Sequence, residues 1–558
     1  MFVAVALFLA AAWPGAGERG LVAEEVLPTL ARWPVVLERG PAGVVRAPPW
    51  EPDAPPRPRW VATTTWPQVG WDGPTRVWPL YIRGHQAAVG AWWSLAVAPL
   101  VGGGAAGLQR ASVVLTAILV VLAWLLARRV EPGETATTPS PALAAVVVAL
   151  SFGTVFIART GYAYEIASRV GLVACLVVAA ARSPLSVRRA VALGVLVAAA
   201  VISRATIAAT LAPALAMLLM HPERRPGRRE LAVVLGLSLT PVLFVALTDA
   251  LIPFAPGTAP LAEFPWAFLR ERLVRAPGHL VVQLAWLGDA SSVLRPLRMG
   301  TVPGGPHLAL AAVLGAVPVA VGLVRWWRGV AGDGERMLVV TVLGNTVLGA
   351  ALYDSPEQFQ LAIALDALLG VALAGQLASV SSPRLRMAAI VVVVGLKATT
   401  LGAALADDAH IANPMLSGKS QRAALAWLDT RGARGPDILT TTYNQVGVLE
   451  TWTTGRLAPV HAWQLLKNPG SRAGDPFGVA PAEQWALAAV KDALEATRPR
   501  FVLLSEGPNA MDGPFSDCTA VAAALPDAAA ALGARVVDRV GFPTEAGGPG
   551  WAVVELGW

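Results

Sequence analysis

The stretch ASVVLTAILVVLAWLLARR, Ala111 to Arg129, decides the fold. It is an uncharged apolar run with Arg110 before it and the pair Arg128-Arg129 at its end. As a helix rising 1.5 Å per residue it reaches across most of a bilayer's ~30 Å hydrocarbon core. A pair of arginines closing such a run marks a cytoplasmic loop.

Working outward, the same pattern recurs. Apolar runs at roughly 2–16, 110–128, 141–158, 166–181, 189–203, 205–220, 231–252, 307–324, 337–352, 361–378 and 387–405 predict about eleven spans. The first is short and has no basic leader, which argues against a cleaved signal peptide. Only 15% of the 558 residues are charged and 55% are hydrophobic, against about 25% charged in a soluble domain. Disorder, a collagen repeat and a disulfide scaffold are excluded. The net charge of +7 does not imply nucleic acid, because the arginines sit in short loops between apolar runs. Two cysteines, Cys175 and Cys518, make neither a metal cluster nor a disulfide framework.

Those arginines alternate. Arg128 and Arg129 follow the second run, and Arg182, Arg188 and Arg189 the fourth. Arg224, Arg225, Arg228 and Arg229 follow the sixth, Arg325, Arg328 and Arg336 the eighth, and Arg384 and Arg386 the tenth. The intervening short loops hold only Arg159, Arg204 and the acidic Asp354 and Glu357. The positive-inside rule puts the basic loops and the N-terminus in the cytoplasm. Residues 17–109, 253–305 and 406–558 then lie outside, provided that the apolar stretch Ala87–Val101 does not cross by itself.

The three outside segments differ in character. Residues 17–109 are rich in proline and carry Trp33, Trp50, Trp60, Trp66, Trp71, Trp78, Trp92 and Trp93. Their plain reading is a belt of indoles at the headgroup level; a folded loop lying on the membrane is the sharper one. Residues 253–305 place Glu263, Trp266, Arg270, Glu271, Arg272, Arg275, His279 and Trp286 at helical spacing and read as an amphipathic interfacial helix. Residues 406–558 return to soluble composition. Helical patterns (Ser420–Thr430, Ala480–Thr497, Thr519–Leu532) alternate there with strand-like runs (Asp437–Thr441, Phe501–Leu504, Arg535–Val540, Trp551–Glu555), which predicts an α/β domain.

Charges near membrane depth are costly and are candidates for function. Glu24-Glu25 follow the first run. Arg76, Arg83 and His85 flank Trp78-Pro79-Leu80-Tyr81. Arg159, Glu165 and Arg169 mark the third-to-fourth turn, and Arg204 the fifth-to-sixth. The topology brings all of these to one outer surface, where carboxylates can take a proton from a hydroxyl and arginine forks can hold a phosphate. The bland alternative is snorkelling or ion pairing at helix ends. Among mid-run polar residues, Asn345 and Asp366 read as hydrogen bonders within the bundle.

Three stretches resemble the GT-C superfamily of integral-membrane glycosyltransferases, in particular bacterial relatives of the protein O-mannosyltransferases and lipid A aminoarabinose transferases. The first is Glu24-Glu25-Val26-Leu27, where the family has an acidic pair. The second runs from Trp78-Pro79-Leu80-Tyr81 through Gly102–Gly104 and Gly107-Leu108-Gln109-Arg110 to Ala127-Arg128-Arg129. The third is Arg159 followed by Glu165. The likeness covers roughly residues 1–220. It implies a GT-C-like transmembrane domain over 1–405 with an extracytoplasmic α/β domain over 406–558, in a bacterial cytoplasmic (inner) membrane. It further implies inverting, metal-independent transfer of a sugar from a polyprenyl-phosphate carrier to a glycolipid, polysaccharide or protein of the cell envelope, without a cofactor.

In that resemblance Glu24 takes the place of the catalytic aspartate, with Glu25 beside it and Glu165 as the second-turn acid. Arg76, Arg83, His85, Arg159, Arg204 and Arg270 are the candidates for the donor phosphate. The chain departs from the family in having glutamate where aspartate is usual, and Val77, next to Arg76, where a lysine is usual. A polytopic transporter or flippase, and a catalytically silent scaffold of the same fold, are the rival readings.

Overall fold

The computed structural model describes residues 1–17, 81–83, 86–87, 89–130, 140–160, 163–181, 183–203, 205–251, 273–299, 305–352, 364–408, 417–441, 460–461, 482–506 and 518–558. Helix α1 (Phe2–Ala12) opens the chain. A short antiparallel pair, β1 (Tyr81–Arg83) and β2 (Gln86–Ala87), precedes α2 (Val89–Val97) and a 3-10 turn, Ala98–Val101. Nine residues of helix rise only about 14 Å, so the apolar stretch 87–101 does not cross by itself. It lies on the next helix, α3 (Gly104–Val130): Ala98 packs with Leu108 and Ala111, and Trp93 Nε1 donates to the Ala111 carbonyl at 2.9 Å. The turn between them reverses through Gly102, Gly103 and Gly104, all at positive φ, which side chains disfavour.

The bundle continues with α4 (Ser140–Ala149), α5 (Phe152–Thr160), α6 (Ala163–Ala179), α7 (Val187–Ser203), α8 (Ala205–Met220) and α9 (Arg228–Leu251). After it come α10 (Ala276–Met299), α11 (Gly305–Trp327), α12 (Asp333–Leu352), α13 (Leu365–Ala378) and α14 (Pro383–Asp408). Each apolar run read from the sequence coincides with a helix. Among the described residues, three helices are long and apolar enough to cross a membrane: Ala106–Val130, Pro306–Trp327 and Pro383–Ala406. The pair Pro141–Ala149 and Phe152–Arg159 is long and apolar enough only when taken together, and meets at 53°. The chain is an integral membrane protein of mainly helical fold.

Contacts between helix ends gather the basic loops. Arg129 closes α3 and donates to the Val177 carbonyl near the end of α6 at 2.5 Å. Arg224, after α8, pairs with Asp333 at the start of α12, and Arg325 near the end of α11 pairs with Glu335 at 2.7 Å. The first of these joints lies at the opposite end of α3 from Gln109 and Arg110.

The second half of segment 253–305 departs from expectation. Residues 276–299 do form a helix, but it is packed within the bundle rather than laid on the interface, with Trp286 fully buried and His279 and Gln283 nearly so. The periodicity was real, but the polar face meets other helices. Gln283 Oε1 accepts from Asn345 Nδ2 at 3.5 Å, and the Leu287 carbonyl accepts from Lys397 Nζ at 2.8 Å. Gly288 and Gly315 let α10 and α11 touch backbone to backbone, since a Cβ on either would strike a carbonyl of the other helix. The first half of the segment, with Arg270, lies outside the described residues.

Beyond the bundle, α15 (Gly418–Thr430) is N-capped by Ser417, whose hydroxyl accepts from Ser420 N at 3.0 Å. Strands β3 (Ile438–Thr440), β4 (Val460–His461), β5 (Phe501–Ser505), β6 (Arg535–Phe542) and β7 (Trp551–Gly557) form one sheet in the order β4-β3-β5-β7-β6. The first three are parallel and β7 is antiparallel to both its neighbours. Helices α16 (Ala482–Thr497) and α17 (Cys518–Ala531) bury Val490, Leu494, Val521 and Leu525 against Val502, Leu504, Val554 and Leu556. On the other face Phe501, Leu503 and Val553 join a cluster with Ala424, Leu425 and Leu428 of α15, so β5 and β7 are mostly apolar on both faces, with Glu555 the charged exception.

Candidate functional site

The site is built around the exit of α1. After Ala12 the chain turns through Trp13, Pro14, Gly15, Ala16 and Gly17, with Gly15 at φ +84° and Gly17 at φ +95°. Three side chains from elsewhere hold this turn. Arg159, the next-to-last residue of α5, donates from Nη2 to the Pro14 carbonyl at 2.6 Å. Gln109, in the first turns of α3, accepts from Gly17 N at 2.6 Å through Oε1. Arg110 lies over the Trp13 ring, 5.7 Å from its centre, and donates to the Val101 carbonyl at 3.2 Å.

Each contact needs a residue type that the local sequence supplies. A Cβ at Gly15 would collide with the Arg159 guanidinium, and one at Gly17 would press on Ala106 at 2.6 Å. The Arg159 fork gives the Pro14 carbonyl, in the turn beyond the helix, its partner. Parts of two stretches that carry the family resemblance, the Gly107–Arg110 element and Arg159, thus meet at the exit of α1; the first stretch, Glu24–Leu27, lies outside the described residues. The acidic pair Glu24-Glu25 begins seven residues beyond Gly17, within about 25 Å of fully extended chain.

The other candidates divide as follows. Glu165 stands in the first turn of α6, five residues after the last of α5, and Arg83 ends β1. Glu24, Glu25, Arg76, His85, Arg204 and Arg270 lie outside the described residues, as do the side chains of Arg83 and Glu165. Arg159 is the one candidate whose side chain is described.

Several polar groups are buried within the bundle; Asp366 is a hydrogen bonder there, as expected, while Asp289 and Lys397 had no role assigned from the sequence. Asp366, at the start of α13, accepts from Thr154 Oγ1 at 2.8 Å and from Trp286 Nε1 at 3.1 Å. Arg169 on α6 is fully buried, and none of its guanidinium nitrogens has a hydrogen-bond partner among the described residues. Asp289 accepts from Ser291 Oγ at 2.8 Å and meets His307 Nε2 at 3.0 Å. Each of these is a polar letter inside an apolar run, which was the available signal; the identity of its partner was not.

Helices of this length and apolarity, with a polar joint at one end of the bundle, define a polytopic membrane protein. Among solved structures the chain is similar to ArnT from Cupriavidus metallidurans in the apo state, at 12% identity, covering 99% of this chain and 97% of that one, with a TM-score of 0.48. It is also similar to the Archaeoglobus fulgidus oligosaccharyltransferase in the apo form, at 12% identity, 90% and 69% coverage and a TM-score of 0.45. A third is the arabinofuranosyltransferase AftD from Mycobacteria, at 15% identity and a TM-score of 0.42; 85% of this chain matches 36% of that one. These are GT-C glycosyltransferases, the superfamily named on the sequence. No protein-family model and no curated protein matches the chain.

Proposed function

We propose that the protein is an inner-membrane glycosyltransferase that moves a sugar from a polyprenyl-phosphate carrier to an acceptor outside the cytoplasm. The observation that carries this reading is the closure of Gln109, Arg110 and Arg159, from two of the motif stretches, on the exit of α1. In it Glu24, with Glu25 beside it, is the base, and Glu165 is the second acid of the site. Arg76, Arg83, His85, Arg159, Arg204 and Arg270 are its candidates for holding the donor phosphate.

The chemistry follows from those groups. A carboxylate takes the proton of the acceptor hydroxyl as its oxygen attacks the anomeric carbon. The bond from that carbon to the phosphate oxygen breaks on the opposite face, so configuration inverts. Polyprenyl phosphate departs with the added negative charge, which arginine forks stabilise best because their planar donors match its oxygens. No metal takes part in this scheme. The acceptor is a cell-envelope glycan, lipid or protein, and residues 406–558 lie on its side of the membrane. The polar residues expected of a transporter are engaged in bonds between helices: Asn345 with Gln283, and Asp366 with Thr154 and Trp286.

The test supplies proteoliposomes containing the protein with a panel of polyprenyl-phosphate-linked sugars and a cell-envelope extract. Release of polyprenyl phosphate together with a new glycosylated product is the expected result. Movement of lipid or sugar across the bilayer with no product would replace the proposal with the transporter reading.

A further inference from the structure

We infer that Asp366 is a positioning residue for the transfer reaction, acting through Thr154 on the direction of α5 and hence on Arg159; this rests on the glycosyltransferase reading above. The bend between α4 and α5 is the reason. α5 has nine residues and meets α4 at 53°. A helix of that length has little stability of its own, and the break at Leu150–Ser151 means that α4 does not dictate its direction. Contacts with other elements must do so.

Two of these contacts lead to Asp366. Thr154 Oγ1 donates to Asp366 Oδ2 at 2.8 Å, and Trp286 Nε1 donates to Asp366 Oδ1 at 3.1 Å. The Trp286 ring in turn lies against Gly153, where a Cβ would collide with it. One carboxylate therefore ties α5 to α13 and α10 at consecutive residues of α5. All three side chains are buried, so no water competes for the bonds.

From Ser151 to Arg159 the helix rises about 12 Å, so a swing of about 5° at the break displaces the Arg159 backbone by about 1 Å. A shift of that size at a reacting centre can lower a rate about a hundredfold. Asp366 also accepts from the buried Trp286 Nε1, so removing it leaves a second donor unpaired and endangers folding. Thr154→Val is the cleaner variant: it keeps the shape and the carboxylate and removes only the link.

Two measurements on the full-length protein in liposomes decide the matter. Hydrogen exchange of amides 152–160 is expected to quicken about fivefold in Thr154→Val, with amides 111–127 unchanged, as for a local opening. Transfer from a polyprenyl-phosphate-linked sugar is expected to fall at least tenfold, mainly in kcat. In an Arg159→Gln background the same change should cost no more than about twofold, because the two residues act in series. Unaltered exchange, or rate losses that multiply independently in the double variant, would overturn the inference. A wild-type protein that transfers nothing would overturn the glycosyltransferase reading and the reaction role with it; the exchange result would still establish whether Asp366 holds α5.

Discussion

Gly15→Ala separates the cost of a strained turn from the cost of a displaced guanidinium. Gly15 sits at φ +84°, and an added Cβ would overlap the Arg159 guanidinium, which holds the Pro14 carbonyl at 2.6 Å. Gly103 supplies the control: its φ is +65°, and a Cβ there meets nothing within 4 Å. Alanine in the left-handed region costs about 1–2 kcal/mol at either position. The two variants should therefore lose similar stability, read as the folded fraction remaining after heating in detergent. They should differ in activity. Because the arginine is the flexible partner, Gly15→Ala moves it by an ångström or more, and transfer should fall about tenfold to a hundredfold. Gly103→Ala should retain activity within about threefold once corrected for folded protein. Equal activities in the two variants would refute the assignment of Arg159 to the reaction and leave it a helix cap.

Further predictions follow from the same geometry. Gln109→Leu removes the acceptor of the half-buried Gly17 N and should cost about 1 kcal/mol, the worth of an ordinary hydrogen bond; a faster proteolytic cut after α1 would register it. Glu555 accepts from Arg431 at 2.7 Å and from Arg500 at 2.8 Å. Glu555→Gln should destabilise the sheet by about 1–2 kcal/mol, below the figure for a fully buried pair because both arginines are partly exposed. Limited proteolysis of 417–558 in the intact chain checks this; unchanged cleavage would mean that the apolar contacts alone hold the sheet.

Helix positions were legible because hydropathy is a local property. Ala111–Ala127 and Leu308–Val324 announce themselves with no knowledge of their neighbours. The burial of 276–299 was not legible, since His279, Gln283 and Trp286 at i, i+4 and i+7 have the same spacing whether they face water or other helices. Only the partners, Asn345 for Gln283 and Asp366 for Trp286, distinguish the cases, and these lie far away in the chain. The same holds at the site: that Arg159 and Gln109 both close on the exit of α1 is a contact between residues about a hundred positions apart. In 406–558 the alternation of helix and strand was readable, whereas the antiparallel placement of β7 between β5 and β6 was not.

The central claim is that Glu24 and Glu165 serve a transfer reaction at the α1 exit. Single-turnover transfer of a labelled sugar from its polyprenyl-phosphate carrier, by wild type and by Glu24→Gln and Glu165→Gln in liposomes, tests it most directly. A loss of at least a hundredfold in Glu24→Gln and at least tenfold in Glu165→Gln, with donor binding retained, is predicted. Transfer at the wild-type rate by either variant would contradict it.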